Sequence, residues 1–99
     1  MLNNKTNMEK EIFQIEKEYI LRVEGMTFPI RGRVMKKIHP EDSIMYRWEI
    51  SHYCKQEKEA GMVYQPSDIH TSNFQDAEHY LLRYMKPFAN IDVTENPAY

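Results

Sequence analysis

The chain is poor in the residues that small folds use as staples and cradles. It has one cysteine, Cys54, in 99 residues, so no disulfide can form within it. Three glycines leave little backbone for wrapping phosphate groups, and no Walker, Rossmann or Gly-x-Ser-x-Gly pattern occurs. No apolar run approaches the about 18 residues of a membrane span. The start Met1-Leu2-Asn3-Asn4-Lys5-Thr6-Asn7 lacks the apolar core of a signal peptide. The expectation is therefore a cytoplasmic protein with no membrane partner, in which the sequon Asn4-Lys5-Thr6 carries no weight. An excess of basic charge is missing too. Thirteen Lys and Arg stand against fifteen Asp and Glu, a net charge of −2, so affinity for nucleic acid would have to come from a local patch.

What is present suits one small globular domain. The chain is 41% hydrophobic and 12% aromatic, outside the compositional range of disordered segments. Its length allows one core, over residues 1–99, with residues 1–7 a flexible lead and 89–99 a tail. The clearest pattern runs from Ile44 to Cys54. Ile44, Tyr46, Trp48, Ile50, His52 and Cys54 alternate with Met45, Arg47, Glu49, Ser51 and Tyr53. A period of two sorts side chains to opposite faces of a strand, so this segment predicts a strand with one packed and one wet face, and Trp48 near the core centre.

Other elements follow from similar patterns. Residues 8–17 fit two templates. Met8, Ile12, Ile15 and Tyr19 form a helical stripe behind a capping box at Thr6-x-x-Glu9, whereas Phe13, Ile15, Tyr19, Leu21 and Val23 alternate, interrupted at Lys17. The favoured expectation is a short helix or irregular lead-in, then a strand over about 18–24. Gly25 marks a turn. Thr27 to Ile38 predicts a strand with Phe28, Ile30, Gly32, Val34 and Ile38 on one face and Arg31, Arg33, Met35 and Lys37 on the other. His39 to Ser43 is a turn, residues 55–61 a charged connection, and Met62 to Gln65 a short strand ended by Pro66. Ser72-x-x-Gln75 suggests a capping box. Beyond it Phe74, Ala77, Tyr80, Leu81, Tyr84, Met85 and Phe88 form a helical apolar face, opposite Asp76, His79, Arg83 and Lys86, and Pro87 should end the helix. The fold class is thus α+β: an antiparallel meander of three to four strands with a C-terminal amphipathic helix packed on one face.

Catalytic constellations are scarce. Ser51-His52 suggests a nucleophile and base, but neighbours on a strand face opposite ways, which argues against a local pair. His52 and Cys54 share a face and could supply two metal ligands, yet a structural zinc site needs four and no second cysteine exists. No metal or cofactor is predicted. Ser72 reads as a helix cap, His79 as a solvated residue, and the carboxylate pairs lie in charged, exposed stretches unsuited to acid–base work at neutral pH. No catalytic residue is assigned.

The strongest functional signal is the outer sheet face. It is expected to carry Arg22, Arg31, Arg33, Lys37 and Arg47 against Glu24 and Glu49, with Ile20, Met35, Met45 and Tyr53 interleaved. The candidate binding residues are Arg22, Arg31, Arg33, Lys37, Arg47 and Tyr53. The leading expectation is a non-enzymatic module making protein–protein contact through this face or an edge strand. One alternative is a nucleic-acid binder using the same basic face. Another is a small enzyme or ligand carrier with a helix–sheet pocket near His52, Tyr64 and Tyr84. A solvated face with cross-strand Arg–Glu pairs accounts for the same residues. Exposed Ile20, Met35 and Met45 also suit a homodimer. Asn96-Pro97-Ala98-Tyr99 matches Asn-Pro-x-Tyr, the turn peptide that phosphotyrosine-binding domains recognise, but so short a match also describes an ordinary turn.

Overall fold

The computed structural model describes residues 10–42 and 44–99. Its elements in chain order are β1 (Ile12–Leu21), β2 (Ile30–His39), β3 (Tyr46–Ile50), β4 (His52–Tyr53), β5 (His70–Thr71), α1 (Phe74–Met85) and β6 (Thr94–Glu95). One antiparallel sheet has the order β1-β2-β3-β5, and β4 pairs with β6 in a second, two-stranded sheet. The architecture is α+β, with the helix late in the chain. The expected loose residues 1–7 and the capping box Thr6-x-x-Glu9 lie outside the described residues.

The core sits between α1 and the β2–β3 face. Ile30 and Val34 of β2, Trp48 and Ile50 of β3, and Leu81 and Tyr84 of α1 are all buried. Gly32 sets the approach of helix to sheet. A Cβ there would lie 2.7 Å from Leu81 Cδ1 and 2.9 Å from Met85 Sδ, so the helix rests where this strand has no side chain. Asn73, not Ser72, is the helix N-cap: its Oδ1 accepts the Asp76 N–H at 2.8 Å. The Thr71 hydroxyl donates to the Asn73 carbonyl, which fixes the chain entering the helix. At the far end Lys86 is the C-cap, one residue before Pro87.

Residues 12–21 are strand throughout, which replaces the helical or irregular lead-in over 12–17. The ten-residue β2 supplies a full-length hydrogen-bonding partner, and tertiary pairing overrides the local helical stripe. The interruption at Lys17 has a geometric cause. Ile15 pairs with Met35 and Lys17 with Val34, so Glu16 is an extra residue, a β-bulge. The bulge reverses the faces. Lys17, Tyr19 and Leu21 pair with the core-facing Val34, Gly32 and Ile30. Phe13, Ile15, Glu18 and Ile20 pair with Lys37, Met35, Arg33 and Arg31 on the outer face. Phe13 and Ile15 thus leave the face that simple alternation assigns them. Tyr19 and Lys17 instead tie β1 to the helix through Glu78, accepting from both; Tyr19 foremost and then Lys17 hold that carboxyl below the usual carboxylate range.

The predicted 44–54 strand is broken at Ser51. Its N–H still bonds the Arg31 carbonyl of the first sheet at 2.8 Å, while its own carbonyl has turned to accept Asn96 N–H at 2.8 Å beside the second. The turned carbonyl would leave the Arg31 N–H without an acceptor, and the Ser51 hydroxyl fills that place at 2.8 Å. Tyr53 therefore pairs with Thr94 and does not continue β3. Residues 62–65 make only an isolated bridge, Cys54 with Tyr64, in place of a strand. Phe28, before the start of β2, and Ile38, near its end, are exposed, Ile38 being the extra residue of a second register shift.

Candidate functional site

The outer sheet face gathers charge around one carboxylate. Glu49, only 7% exposed, accepts from Arg33 Nε at 2.9 Å and Nη2 at 2.7 Å, and its other oxygen lies 3.0 Å from Arg47 Nη2. The register dictates this meeting, since Arg33 stands opposite Glu49 and Met35 opposite Arg47. Two guanidiniums sharing one buried carboxylate make strong, charge-assisted contacts; the carboxylate offsets one of the two positive charges and holds both groups in place.

The tail covers the same place. Asn96 donates from Nδ2 to the Ile50 carbonyl at 2.8 Å, and its Oδ1 accepts the Ala98 N–H at 2.9 Å. The Tyr99 N–H closes the turn on the Asn96 carbonyl at 3.1 Å. This seats the Tyr99 ring 4.2 Å from the Arg33 guanidinium, which also donates to the Tyr99 carbonyl at 3.1 Å. Burial pushes the Tyr99 phenol up. Asn-Pro-Ala-Tyr does form a turn, and this chain's own arginine and β3 occupy it.

The six candidate residues fall into three places. Arg33 and Arg47 surround Glu49, and Tyr53, although in the second sheet, lines with Arg47 and Glu49 a cavity of about 70 Å³. Burial raises the Tyr53 phenol, and Glu49 adds to the shift. Lys37 sits apart at the other end of β2. It is buried, 2.6 Å from Asp42 and 3.8 Å from Glu11, and its hydrogen bond holds the Asp42 carboxyl below the ordinary range. Arg22 and Arg31 are exposed, with no ion pair among the described residues. Arg33, Arg47 and Lys37 are thus engaged within the chain, and Arg22 and Arg31 are not.

Beside it lies a feature the periodicity concealed. β1 is a terminal strand of the sheet, ten residues long, and among the described residues nothing pairs with its outer edge. Ile12, Ile15 and Ile20 along it are 50%, 50% and 57% exposed. The direction of its backbone groups follows from β2. Arg31 bonds Ser51 through both N–H and carbonyl, and Lys37 N–H bonds Met45, so the odd residues of β2 turn to β3 and the even ones to β1. In β1 the partners of even residues, Gln14, Lys17, Tyr19 and Leu21, face β2. Phe13, Ile15, Glu18 and Ile20 then direct their N–H and carbonyl groups to the open edge. The sequence signal was the Lys17 interruption, which reads as a bulge only once a partner strand is known.

Ser51 and His52 do meet, contrary to the strand argument. Ser51 Oγ and His52 Nδ1 are 2.8 Å apart, because the sheet change at Ser51 removes the alternation. With the hydroxyl oxygen accepting from Arg31, its proton is available to Nδ1, and Phe28 lies 4.9 Å from the His52 ring. Cys54 is fully buried, its thiol pushed up by burial. Among the described residues no three His, Cys, Asp or Glu side chains converge as metal ligands. Tyr64 and Tyr84 stack at 5.4 Å and line a cleft of about 540 Å³ with Trp48, Tyr80 and Arg83, while His52 lines a different one. No described helix is long and apolar enough to cross a membrane. No protein-family model matches the chain, and neither does any curated protein or solved structure.

Proposed function

We propose that this protein is a non-enzymatic interaction module that docks a protein along the β1 edge and the outer face beside it. The observation that carries the proposal is β1 itself. It offers backbone donors and acceptors from Phe13, Ile15, Glu18 and Ile20 together with half-exposed isoleucines, in a strand free of proline and glycine. Sheet edges of that kind add a strand from another chain, main-chain hydrogen bonds giving affinity and alternate side chains specificity. The engagement of Arg33 and Arg47 by Glu49, in a chain of net charge −2, favours protein over nucleic acid.

The test is affinity capture from cell lysate with and without nuclease, using the unaltered chain and an Ile15→Lys/Ile20→Lys variant. A lysine pair on the edge leaves the core untouched and repels an added strand. The expected result is a stoichiometric protein retained through nuclease treatment and lost with the variant. Loss of recovery on nuclease treatment, or equal recovery by the variant, would overturn the proposal.

A further inference from the structure

The bulge in β1 has a consequence for which chain can occupy that edge. In an unbroken strand, residues of one parity point one way from end to end. Two copies related by a two-fold axis can then match faces only if the axis passes through a residue or its symmetric gap in that parity. Glu16 changes this. Before the bulge the edge-directed, outer-face residues are Phe13 and Ile15, and after it they are Glu18 and Ile20. The bulge divides β1 into two halves of opposite parity that mirror each other in spacing.

We infer that β1 pairs antiparallel with β1 of a second copy of this chain, the two-fold axis passing beside Glu16 and Lys17. The inference rests on the reading of β1 as the docking edge and names its occupant. In this register Phe13 opposes Ile20 of the partner subunit and Ile15 opposes Glu18 of the partner subunit, each pair repeated by symmetry. All four positions direct N–H and carbonyl toward the interface, so each pair can exchange two backbone hydrogen bonds. The core-side pair Gln14 and Tyr19 of the partner subunit also falls on matching faces. At the centre Glu16 falls beside Lys17 of the partner subunit, but Lys17 is already paired with Glu78 within its own chain at 2.9 Å, so the flanking edge-directed pairs, and not charge, fix the register. The aromatic and aliphatic groups meet as well, Phe13 against Ile20 of the partner subunit, the kind of cross-strand pair that stabilises sheets. An interface of this type is isologous and closed, so it yields a dimer and not a filament. The first sheet becomes a continuous eight-stranded one, and its longest exposed edge disappears.

Sedimentation of the full chain over a concentration series and cysteine cross-linking test this together. The expected mass is twice 12.0 kDa, and Ile15→Glu, which sets a like charge against Glu18 of the partner subunit, together with Ile20→Glu should return it to a folded monomer with unchanged circular dichroism. An equimolar mixture of Phe13→Cys and Ile20→Cys chains should oxidise to a covalent dimer. Either variant alone should not, because like positions lie about 20 Å apart at about 3.4 Å per residue, far beyond disulfide reach. Cys54 does not compete, being fully buried. A dimer that cross-links equally with one variant alone would place the contact elsewhere and overturn the inference. So would a monomer at every concentration. If that monomer still captures a different protein, and the lysine pair abolishes capture, the docking edge stands and only self-pairing falls. If the glutamate pair leaves the dimer intact and the lysine pair leaves capture intact, both fall.

Discussion

Tyr84 shows how much one hydroxyl can organise. It is 3% exposed, donates to the Tyr64 carbonyl at 2.6 Å and accepts the Cys54 N–H at 3.2 Å. It thereby fastens the loop carrying Tyr64 and the end of β4 to the helix. Burial pushes its pKa up to about 12 from an ordinary 10.0. The raised value gives the sign of the pH dependence. The stabilisation is fully present below pH 10 and is lost as pH rises toward about 12, because only the unfolded chain readily gives up the proton. One pKa unit corresponds to about 1.4 kcal/mol, so the loss amounts to roughly 2–3 kcal/mol. Tyr84→Phe should cost about 1–3 kcal/mol at neutral pH by leaving the Cys54 N–H unsatisfied. The variant should also flatten the alkaline decline, as followed by denaturant titrations across pH. An unchanged alkaline decline would assign it to another tyrosine.

At the level of elements, the match of strand and helix turns on Gly32. The new methyl of Gly32→Ala would press on Leu81 and Met85, whose mobile side-chain ends can yield only by disturbing a filled core. Overpacking of this kind costs about 1–3 kcal/mol. That exceeds the gain of about 0.4–1 kcal/mol from a stiffer unfolded chain, so the substitution should destabilise. In a Leu81→Ala background the same methyl enters vacated space, and the penalty should shrink or reverse, as a double-mutant cycle by chemical denaturation would show. Period-two and helical patterning made β2, β3 and α1 legible, because Val34, Trp48, Ile50, Leu81 and Met85 fall on the faces that pack helix against sheet. The limits are equally physical. The interruption at Lys17 hints at irregularity, but Glu16 as a bulge exists only relative to β2. Ser51 ends β3 because Asn96, far along the chain, competes for its carbonyl. Asn73 and Ser72 are both good caps, and the Thr71–Asn73 contact decides between them.

For the whole molecule, the disposition of charge matters more than its total. Alternation puts Arg31, Arg33 and Arg47 on the outer sheet face, whereas Arg22 lies past the end of β1, and the pairing of Arg33 and Arg47 with Glu49 and the cover of Arg33 by Tyr99 depend on cross-strand register and on the path of the tail. Glu49→Gln should release both guanidiniums. The expected cost is below the about 3–5 kcal/mol of breaking a fully buried pair, since Arg33 and Arg47 keep some contact with water. The variant should gain affinity for labelled single-stranded nucleic acid that falls with rising salt, whereas the unaltered chain should show little in the same anisotropy series. Equal binding by both would mean that Arg22 and Arg31 suffice. Ser51, finally, gives its N–H and hydroxyl to one sheet and its carbonyl to the other. A residue shared in this way couples the two sheets mechanically, for neither ladder can open at that end without straining the other. Amide hydrogens of β2, β3 and β6 around this junction should therefore exchange with solvent at a common rate, as one cooperative unit and not as a stable sheet with a fraying appendage.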